Sequence, residues 1–381
     1  MTAEPQVVHG LEGVLAFESS IAFIDGPNGQ LSYRGYDIHD FAERASFEDT
    51  VFLLWNARWP SAQESDEFGD ELKALRTLPD AVVDSIRLLP LRECNPMAAL
   101  RTAVSVFGAL DPLQDAISPD ANLSKAKNLT ANMATMVAAI HRLSQGLKPV
   151  APDSRLTHAE NYLYMMTGQR PDEASSRALN MALVIYAEHE TNASTFTVRC
   201  AVSTLSDLYS AIGAGIAALK GPLHGGAIDE AMRLFTDIGS VQAAEGYIDR
   251  ALAEKRRIPG FGHRVYRTRD PRATHLDPMA KAISELKGDT RWYDIGVEVE
   301  RLMKEKMAQK GRTDISANVD YYAAILLHQL GFPLNLQTSF VASSRIAGWC
   351  AHAFEQYAAN RLIRPRARYT GQLNQPMPSL R

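Results

Sequence analysis

Two histidines in this chain lie in short glycine-rich turns, which would display a proton-transferring side chain next to a ligand. The first is His224, within residues 221–226 (GPLHGG), and the second is His263, within residues 259–264 (PGFGHR). The two glycines after His224 permit close backbone approach and a positive φ. The residues that follow predict a helix, whose positive N-terminal end disfavours imidazolium. We therefore expect His224 to be a neutral imidazole that can donate a hydrogen bond.

Two further residues are candidates for acid–base chemistry. His189 lies in residues 188–196 (EHETNASTF), and on its own it is typical of a helix end held by neighbouring carboxylates. Asp320 opens an apolar helical run, where an aspartate is either an N-cap or a general base. The residues alone leave both interpretations of Asp320 open.

Arginines cluster at two places, and guanidinium groups suit an anionic ligand because they stay charged and bind carboxylates bidentately. The first cluster follows His263 and consists of Arg264, Arg267, Arg269 and Arg272. The second lies near the C-terminus and consists of Arg361, Arg364, Arg366 and Arg368. Because Ile363 and Tyr369 are interspersed with the second cluster, we expect a packed segment there rather than a disordered tail.

Composition restricts the classes of function. The chain has 381 residues, 46% hydrophobic and 22% charged, with a formal net charge of −4 and a pI of about 6.2, which argues against a general nucleic-acid role. Its three scattered cysteines indicate no disulfide framework, and no signal peptide is visible, so we expect a cytoplasmic protein. No metal site is predicted, because the histidines lie far apart and no carboxylate has clear ligand spacing.

Hydrophobic periodicity predicts a mainly α-helical fold with a small N-terminal β-hairpin. The hairpin is expected from residues 20–25 and 31–35, on either side of a turn at residues 26–29 (GPNG). Helical spacing covers residues 47–55, 97–110, 131–143, 178–187, 207–219, 227–235, 241–255, 281–310, 321–330 and 342–357. The charge-rich residues 226–330 indicate a small helical domain inserted into a large one, which then consists of residues 1–225 and 331–381.

Taken together, these stretches resemble the citrate synthase family. The resemblance covers nearly the whole chain in order, and it rests on the combination of motifs rather than on any one of them. The matching segments are residues 11–14 (LEGV), 33–36 (YRGY), 100–105 (LRTAVS), 188–196, 221–226, 259–272, 318–320 (NVD) and 361–371. The resemblance implies a two-domain helical fold, a homodimer and an acyltransferase that condenses an acyl-CoA with a 2-oxo dicarboxylate.

The resemblance also implies a role for each matching residue. Asp320 would take a proton from the thioester methyl group, and neutral His224 would stabilise the enol that forms. His263 would polarise the ketone of oxaloacetate and protonate the new alkoxide. Oxaloacetate would be held by His189, Arg272 and Arg345, and by Arg364 from the partner subunit.

The partners implied in this way are small molecules and a second copy of the chain, with neither nucleic acid nor membrane expected. The residues expected to contact CoA are Arg257, Ile258, Pro259, Gly260 and Arg267. Closure of the small domain over the large one would exclude water and complete the acyl-CoA site after oxaloacetate binds. No metal or redox cofactor is expected, since the CoA thioester is itself a substrate.

Three positions depart from the usual family pattern. Asn95 and Ile228 stand where the family usually has His and Asn. Val341 stands where a pocket-lining Phe is common, and the neighbouring Phe340 is a candidate to compensate for that ring in part. These departures bear on substrate choice, because the acids, bases and arginines expected from the family are all present.

The leading hypothesis is a citrate synthase of the tricarboxylic acid cycle that uses acetyl-CoA. The nearest alternative is a 2-methylcitrate synthase that uses propionyl-CoA, because one methylene changes discrimination by only about 1–3 kcal/mol. Leu223 and Arg264 favour the first hypothesis, whereas Val341 favours the second. Two alternatives from other classes are an inactive paralogue that binds CoA or dicarboxylates, and a metal-dependent hydrolase.

Overall fold

A computed structural model describes residues 6–262, 265–266, 268–312 and 315–377 of the protein. The strands are β1 (Ala22–Asp25), β2 (Gln30–Tyr33) and β3 (Tyr36–Asp37). The helices are α1 (Ile38–Phe41), α2 (Phe47–Asn56), α3 (Ala62–Ala74), α4 (Asp80–Arg87), α5 (Pro96–Ala109), α6 (Pro119–Ser144), α7 (His158–Thr167), α8 (Glu173–Tyr186), α9 (Ala193–Ser203), α10 (Leu208–Leu219), α11 (Ala227–Ile238), α12 (Val241–Ala253), α13 (Pro271–Lys287), α14 (Arg291–Ala308), α15 (Val319–Gln329) and α16 (Gln337–Ala358). Short 3₁₀ turns lie at His9–Leu11 and Leu334–Leu336. The predicted, mainly α-helical fold is confirmed.

The small sheet is antiparallel throughout. β1 and β2 form the predicted hairpin, with Ala22 opposite Tyr33 and Asp25 opposite Gln30. β3 adds a third strand that pairs with β2 and was not predicted. Because β3 has only two residues, it is too short to produce a recognisable alternation of polar and apolar positions.

The helical core is built around α16. This helix packs against α2, α5, α6, α8, α9 and α10, and almost all of its residues are buried. Its many Ala and Ser residues let neighbouring helices approach closely, while Phe340 and Trp349 fill the larger spaces without any exposed surface. A helix surrounded in this way gives a rigid support to any functional side chain that it carries.

Helices α11 to α15 follow one another in sequence and pack mainly on one another. The closest associations are those of α13 with α15, of α11 with α15 and of α12 with α14. The proposed division of the chain at residues 226 and 330 remains a prediction, but these helices occupy the stretch to which it assigns the small domain.

The two ends of the described chain expose apolar side chains. Leu15 is 95% exposed near the N-terminus, and Tyr369 is 67% exposed near the C-terminus. Residues 360–377 contain neither helix nor strand. The expectation that Tyr369 belongs to a packed segment is therefore wrong for a single copy of the chain. Among the described helices, none is both long and apolar enough to cross a membrane.

Candidate active site

The turn that carries His224 joins the end of α10 to the start of α11. Gly225 is required there by space, because a Cβ atom at this position would lie 2.5 Å from Leu219 Cδ1 and 2.7 Å from Leu219 O. Gly226 lies close to Pro222 and has a φ of −61°. Of the two properties that glycine permits at these positions, close backbone approach is present, whereas neither glycine has a positive φ.

The hydrogen bonds of His224 define the position of its proton. The backbone N–H of Ser194 donates to His224 Nε2 over 3.3 Å, and the Ser194 hydroxyl lies 2.8 Å from the same nitrogen. A backbone N–H can only donate, so Nε2 is an acceptor and the neutral ring carries its proton on Nδ1. Ser194 is fixed in turn by Trp349, whose indole N–H donates to the serine hydroxyl over 3.2 Å. His224 can therefore offer Nδ1–H to a ligand.

Burial keeps this imidazole neutral. It lowers the pKa of His224 to about 4, and the positive charge of Arg345 lowers it further. The neutral state predicted from the sequence is confirmed. Desolvation is the larger cause of this shift and the charge of Arg345 the smaller one, while the expected contribution from the N-terminal end of α11 stays a prediction.

Asp320 lies in the first turn of α15 with its carboxylate held by a tyrosine. The N-cap of this helix is Asn318, whose side-chain oxygen accepts a hydrogen bond from Asp320 N over 3.1 Å. The N-cap interpretation of Asp320 is therefore wrong, and its carboxylate is available for other contacts. The Tyr186 hydroxyl donates to Asp320 Oδ1 over 2.9 Å.

The surroundings of Asp320 favour a base that accepts a proton readily. Burial raises the pKa of this carboxyl group above its usual value. The hydrogen bond from Tyr186 and the charges of Arg272 and Arg345 oppose the shift, while Asp270 adds to it. A carboxylate that is only half-buried, with a raised pKa, suits proton abstraction from a weak carbon acid.

The second histidine turn is tied to the segment that leads into Asp320. Two backbone hydrogen bonds make this connection: Asn318 N donates to Gly260 O over 2.9 Å, and Gly262 N donates to Ser316 O over 3.3 Å. Gly260 and Gly262 have φ angles of +80° and +77°, which favour glycine. His263, Arg264 and Arg267 lie outside the described residues, so their predicted roles stay predictions.

Arg345 is a buried cation without an acceptor for part of its guanidinium group. The residue is 4% exposed, and within the described part of the chain its Nε and Nη1 atoms have no hydrogen-bond partner. Burial lowers its pKa, and the nearby Glu188 carboxylate opposes that shift. Unmet guanidinium donors at the end of a cluster of titratable groups fit the carboxylate of a bound ligand.

Arg272, the second described arginine assigned to oxaloacetate, already has a partner. Its Nε and Nη2 atoms donate to Asp270 over 3.0 and 2.8 Å, and both residues are buried. Asp270 also accepts from Val319 N over 3.3 Å, which connects the start of α13 to the start of α15. Arg272 is thus held rigidly beside Asp320, and it would share its guanidinium between Asp270 and a ligand.

His189 lies between α8 and α9 and is buried. Its Nε2 is 3.1 Å from the Tyr266 hydroxyl, and the two rings meet edge to face. The neighbouring Glu188 is directed elsewhere, with its Oε1 3.2 Å from His352 Nε2. Arg199 donates to the other nitrogen of His352 over 2.9 Å, so His352 Nε2–H is the donor to Glu188.

The residues assigned to CoA differ in how much surface they offer. Arg257 is exposed, Pro259 is half-buried, and Ile258 and Gly260 are buried. The carbonyl of Gly260 already accepts a hydrogen bond from Asn318 N. The backbone that remains for CoA at this turn is therefore that of the residues before Gly260. Arg364, assigned to the partner's site, is exposed in the single chain.

Several residues of this site were not predicted from the sequence. Tyr186 contacts the candidate base, Glu188 acts on Arg345 through its charge, and the imidazole is fixed by Ser194 and Trp349. By sequence pattern each of these is an ordinary core or helix-end residue. Glu188 and Ser194 lie inside the motif of residues 188–196, which was the available signal for them. Tyr186 and Trp349 gave no signal, because their partners are brought near only by the fold.

The departures from the family pattern have local explanations at two positions. Asn95 is the N-cap of α5, where its side chain accepts from Met97 N over 2.9 Å. Ile228 is a completely buried core residue of α11. Val341 is buried, and Phe340 is packed beneath Tyr186 with no exposed surface, so Phe340 does not replace a pocket-lining ring.

Residues of the types that bind metals are not clustered in the part of the chain that the structure describes. No group of three or more His, Cys, Asp or Glu side chains there is arranged to hold a metal ion. The functional groups brought together are instead a carboxylate, a neutral imidazole and two buried arginines. This set can move a proton at carbon and hold a dianion.

Comparisons with known proteins place this arrangement in context. The family model described as citrate synthase, C-terminal domain, matches residues 10–366. The chain is 45% identical to citrate synthase 2 of Bacillus subtilis, over 95% of each chain, and 46% identical to the citrate synthase of Haloferax volcanii, over 96% of each. It is also 37% identical to a 2-methylcitrate synthase of Mycobacterium tuberculosis, over 98% of this chain and 93% of that one.

The fold is likewise similar to solved structures. The citrate synthase of Thermoplasma acidophilum, in a ternary complex with carboxymethyl coenzyme A and oxaloacetate, matches with a TM-score of 0.91 and 34% identity over 98% of each chain. The structure from Pyrobaculum aerophilum matches with a TM-score of 0.89 and 37% identity over 98% of this chain and 95% of that one.

Proposed function

Because the chain belongs to the citrate synthase family, we propose that it condenses acetyl-CoA with oxaloacetate and hydrolyses the resulting citryl thioester to citrate and CoA. One observation supports this proposed activity most directly. A half-buried carboxylate of raised pKa, Asp320, shares a cluster with the neutral imidazole of His224 and the unmet donors of Arg345. Enolisation of a thioester next to a bound dianion needs these three kinds of group.

The first step is removal of a proton from the methyl group of acetyl-CoA. Asp320 is the base, and its raised pKa brings its proton affinity closer to what a weak carbon acid requires. His224 donates Nδ1–H to the thioester oxygen as negative charge develops there. A neutral imidazole suits this role, because its N–H stabilises the enolate-like oxygen by a hydrogen bond and the ring need not give up its proton.

The second step forms the carbon–carbon bond. The enol carbon attacks the ketone of oxaloacetate. His263 is assigned the role of donating a proton to the new alkoxide. Water then attacks the thioester carbonyl of bound citryl-CoA and CoA leaves as the thiol. These steps use no metal or redox cofactor.

Oxaloacetate is bound by arginines and His189 in this account. Arg345 has free Nε and Nη1 donors inside a buried site, where a charge-assisted hydrogen bond is strong. Arg272 is held in place by Asp270, and His189 by Tyr266. CoA is assigned to the turn formed by Arg257, Ile258, Pro259 and Gly260, together with Arg267.

We further propose that the working form is a homodimer in which Arg364 enters the partner's site. The support is the exposure of Arg364 in a single chain and of apolar side chains at both ends of the described chain, such as Leu15 and Tyr369. A second copy that covers these ends would remove apolar surface from water. The cytoplasmic location remains a prediction.

The test of the activity is release of thiol from acetyl-CoA and, in parallel, from propionyl-CoA, each with and without oxaloacetate. We expect release that depends on oxaloacetate and is faster with acetyl-CoA. Release without oxaloacetate would indicate a thioesterase, and loss of activity in a chelator would indicate a metal-dependent hydrolase. No release from either substrate, with ligand binding retained, would point to an inactive paralogue.

A 2-methylcitrate synthase is the second candidate, and Val341 is the observation that favours it. The smaller side chain removes the ring that commonly lines the pocket, and Phe340 is too deeply buried to replace it. Leu223, one of the residues that favour acetyl-CoA, is 93% exposed and lines no closed pocket in the single chain. Faster turnover of propionyl-CoA would establish this second candidate.

The composite site has its own test. Arg364→Ala and Asp320→Asn homodimers should both be almost inactive. Mixed dimers contain one site with Asp320 from one subunit and Arg364 from the other, so we expect part of the activity to return. Verified heterodimers without any recovery would contradict a shared site, whatever the substrate.

A further inference from the structure

We infer that Tyr186 is a positioning residue for Asp320, fixing one carboxylate oxygen so that the other faces the methyl proton of the substrate. The inference rests on the proposed function, in which Asp320 is the base. The Tyr186 hydroxyl donates to Asp320 Oδ1 over 2.9 Å, and no hydrogen bond reaches Oδ2 from the described residues. The two oxygens of the base are therefore not equivalent.

Aromatic packing holds Tyr186 in the orientation that this hydrogen bond needs. Tyr186 is the last residue of α8 and is buried, and its ring meets the ring of Phe340 edge to face at 6.2 Å. Phe340 is wedged in turn against Tyr162 and Phe332. A phenol fixed in a packed core loses little further freedom when it donates to the carboxylate, so the contact is preorganised.

The backbone of Asp320 is fixed independently of Tyr186. Asn318 accepts from Asp320 N over 3.1 Å, and Asp270 accepts from the preceding amide, Val319 N, over 3.3 Å. These bonds set the position of the main chain but leave rotation of the carboxylate undetermined. The contact with Tyr186 removes that remaining freedom, and it comes from a residue 134 positions away in the sequence.

The same hydrogen bond adjusts the basicity of Asp320. Burial and the charge of Asp270 favour the protonated acid, while Tyr186, Arg272 and Arg345 favour the carboxylate. If burial alone set the pKa of Asp320, that pKa would be higher and the carboxyl group would stay protonated up to a higher pH. Tyr186 itself remains a donor throughout, because burial and the Asp320 charge raise its own pKa well above the usual value for tyrosine.

A purely structural role for Tyr186 can be distinguished with a matched control. Tyr162 is also completely buried and stacks on Phe340 at 6.3 Å, but its hydroxyl pairs with Ser343 over 3.0 Å and not with the base. Tyr162→Phe removes a buried hydroxyl from the same aromatic cluster. It should cost stability by breaking a hydrogen bond while leaving the pH dependence of turnover unchanged.

The experiment compares kcat as a function of pH for wild type, Tyr186→Phe and Tyr162→Phe, with Asp320→Asn as a reference. Removing the Tyr186 hydroxyl takes away a bond that favours the carboxylate, so the acid limb of the profile should move to higher pH. On that limb we expect about tenfold or greater loss of kcat, because hydrogen bonds to charged groups are the stronger ones. The affinity for oxaloacetate should stay close to wild type.

An acid limb of Tyr186→Phe that superimposes on wild type would overturn the inference. Should Tyr186→Phe fail to fold, fluorotyrosine at position 186 replaces it. That residue is a stronger donor of the same shape, and it should move the limb to lower pH. If the acid limb of the kcat–pH profile did not move in the fluorotyrosine variant, that result would also contradict the inference. Substantial turnover by Asp320→Asn would instead show that the proposed base is wrong, which separates the two failures.

Discussion

Arg345, in the candidate site, and Arg76, in a cluster remote from it, are alike by most measures of burial. Their exposed fractions are 4% and 1%, and each has two guanidinium nitrogens without an acceptor among the described residues. Burial lowers the pKa of both, and a buried glutamate opposes the shift in each case, Glu188 for Arg345 and Glu48 for Arg76. Burial and unmet donors therefore do not identify a functional arginine.

The surroundings of the two arginines differ. Arg76 Nη2 lies 3.8 Å from Glu48 Oε1, its Nη1 donates to Leu156 O over 2.7 Å, and Glu48 also accepts from His158 N over 2.8 Å. All three residues of this cluster are buried, and Glu48 connects the other two. Arg345 instead has half-buried titratable neighbours, Asp320 and His224, which can contact a substrate. The candidate site differs from the Arg76 cluster because its arginine lies next to two proton-transferring groups that a substrate can contact.

The largest contrast should come from the two carboxylates. Asp320→Asn should lower kcat by about 10³-fold, because general-base catalysis contributes on the order of 10²–10⁴-fold. Its free energy of unfolding should not fall, since burial disfavours the carboxylate that is removed. Steady-state kinetics and thermal unfolding of the same preparation check both statements.

Glu48→Gln is the matched control for that variant. It leaves Arg76 buried without its counter-charge and should lower the free energy of unfolding by about 3 kcal/mol, with kcat close to wild type. If Glu48→Gln reduced kcat as much as Asp320→Asn does in a folded protein, the separation between the two clusters would be lost.

The two arginines give the second contrast. Arg345→Met should weaken oxaloacetate binding by about 100-fold, since truncating a buried charge that pairs with a ligand costs roughly 2–5 kcal/mol. Stability should be unchanged or higher, because no ion pair is broken within the described residues. Arg76→Met should show the reverse pattern, a loss of stability and normal affinity. Calorimetric titration with oxaloacetate and chemical unfolding measure the two quantities.

The last contrast concerns pH and the remote histidine. Burial lowers the pKa of His158 to about 3, below the unfolded value of about 6.5, so the folded state binds fewer protons in that interval. This contribution to stability is lost as pH falls from about 6.5 towards 3, by up to about 1.4 kcal/mol per pH unit. His158→Phe, which keeps a ring next to Phe47, should flatten the decline in this window.

An unchanged acid slope in His158→Phe, measured by chemical unfolding between pH 4 and 7, would contradict a neutral buried ring. His224 titrates within the same window, with a pKa of about 4, but it belongs to the accessible site. The decline in the free energy of unfolding with falling pH that remains in His158→Phe should therefore contain the contribution of His224.

Much of the fold could be predicted because local patterns determine it. Apolar spacing located ten helical segments, and the turn at residues 26–29 located the hairpin. Helices α1, α3, α4, α7 and α9 were not predicted. Helix α6 shows where such patterns fail, since only residues 131–143 were predicted and the helix begins at Pro119. Its first half contains Lys125, which is completely buried because its ammonium group donates to Gln114 O over 3.1 Å and to Ala116 O. Because the hydrogen-bond acceptors of this lysine lie outside α6, the sequence pattern of the first half of the helix indicates a polar surface and not a buried one.

The site could be predicted only as far as its motifs extend. His224 and its neutral state followed from a glycine turn and the helix after it, whereas burial and the charge of Arg345, which also lower its pKa, depend on the fold. The residues alone allow two roles for Asp320, and the structure excludes the N-cap role because Asn318 is the N-cap. Tyr186 was not predicted at all, because its contact with Asp320 joins the end of α8 to the start of α15 and depends entirely on tertiary packing.

The most direct test of the account is exchange of the acetyl-CoA methyl protons with deuterium from D₂O, followed by NMR or mass spectrometry. A dicarboxylate that lacks the ketone of oxaloacetate would occupy the anion site, so that enolisation occurs without condensation. We expect exchange that depends on this dicarboxylate in wild type and in Glu48→Gln, and almost none in Asp320→Asn. Exchange at the wild-type rate in Asp320→Asn would contradict it, because another group would then be removing the proton.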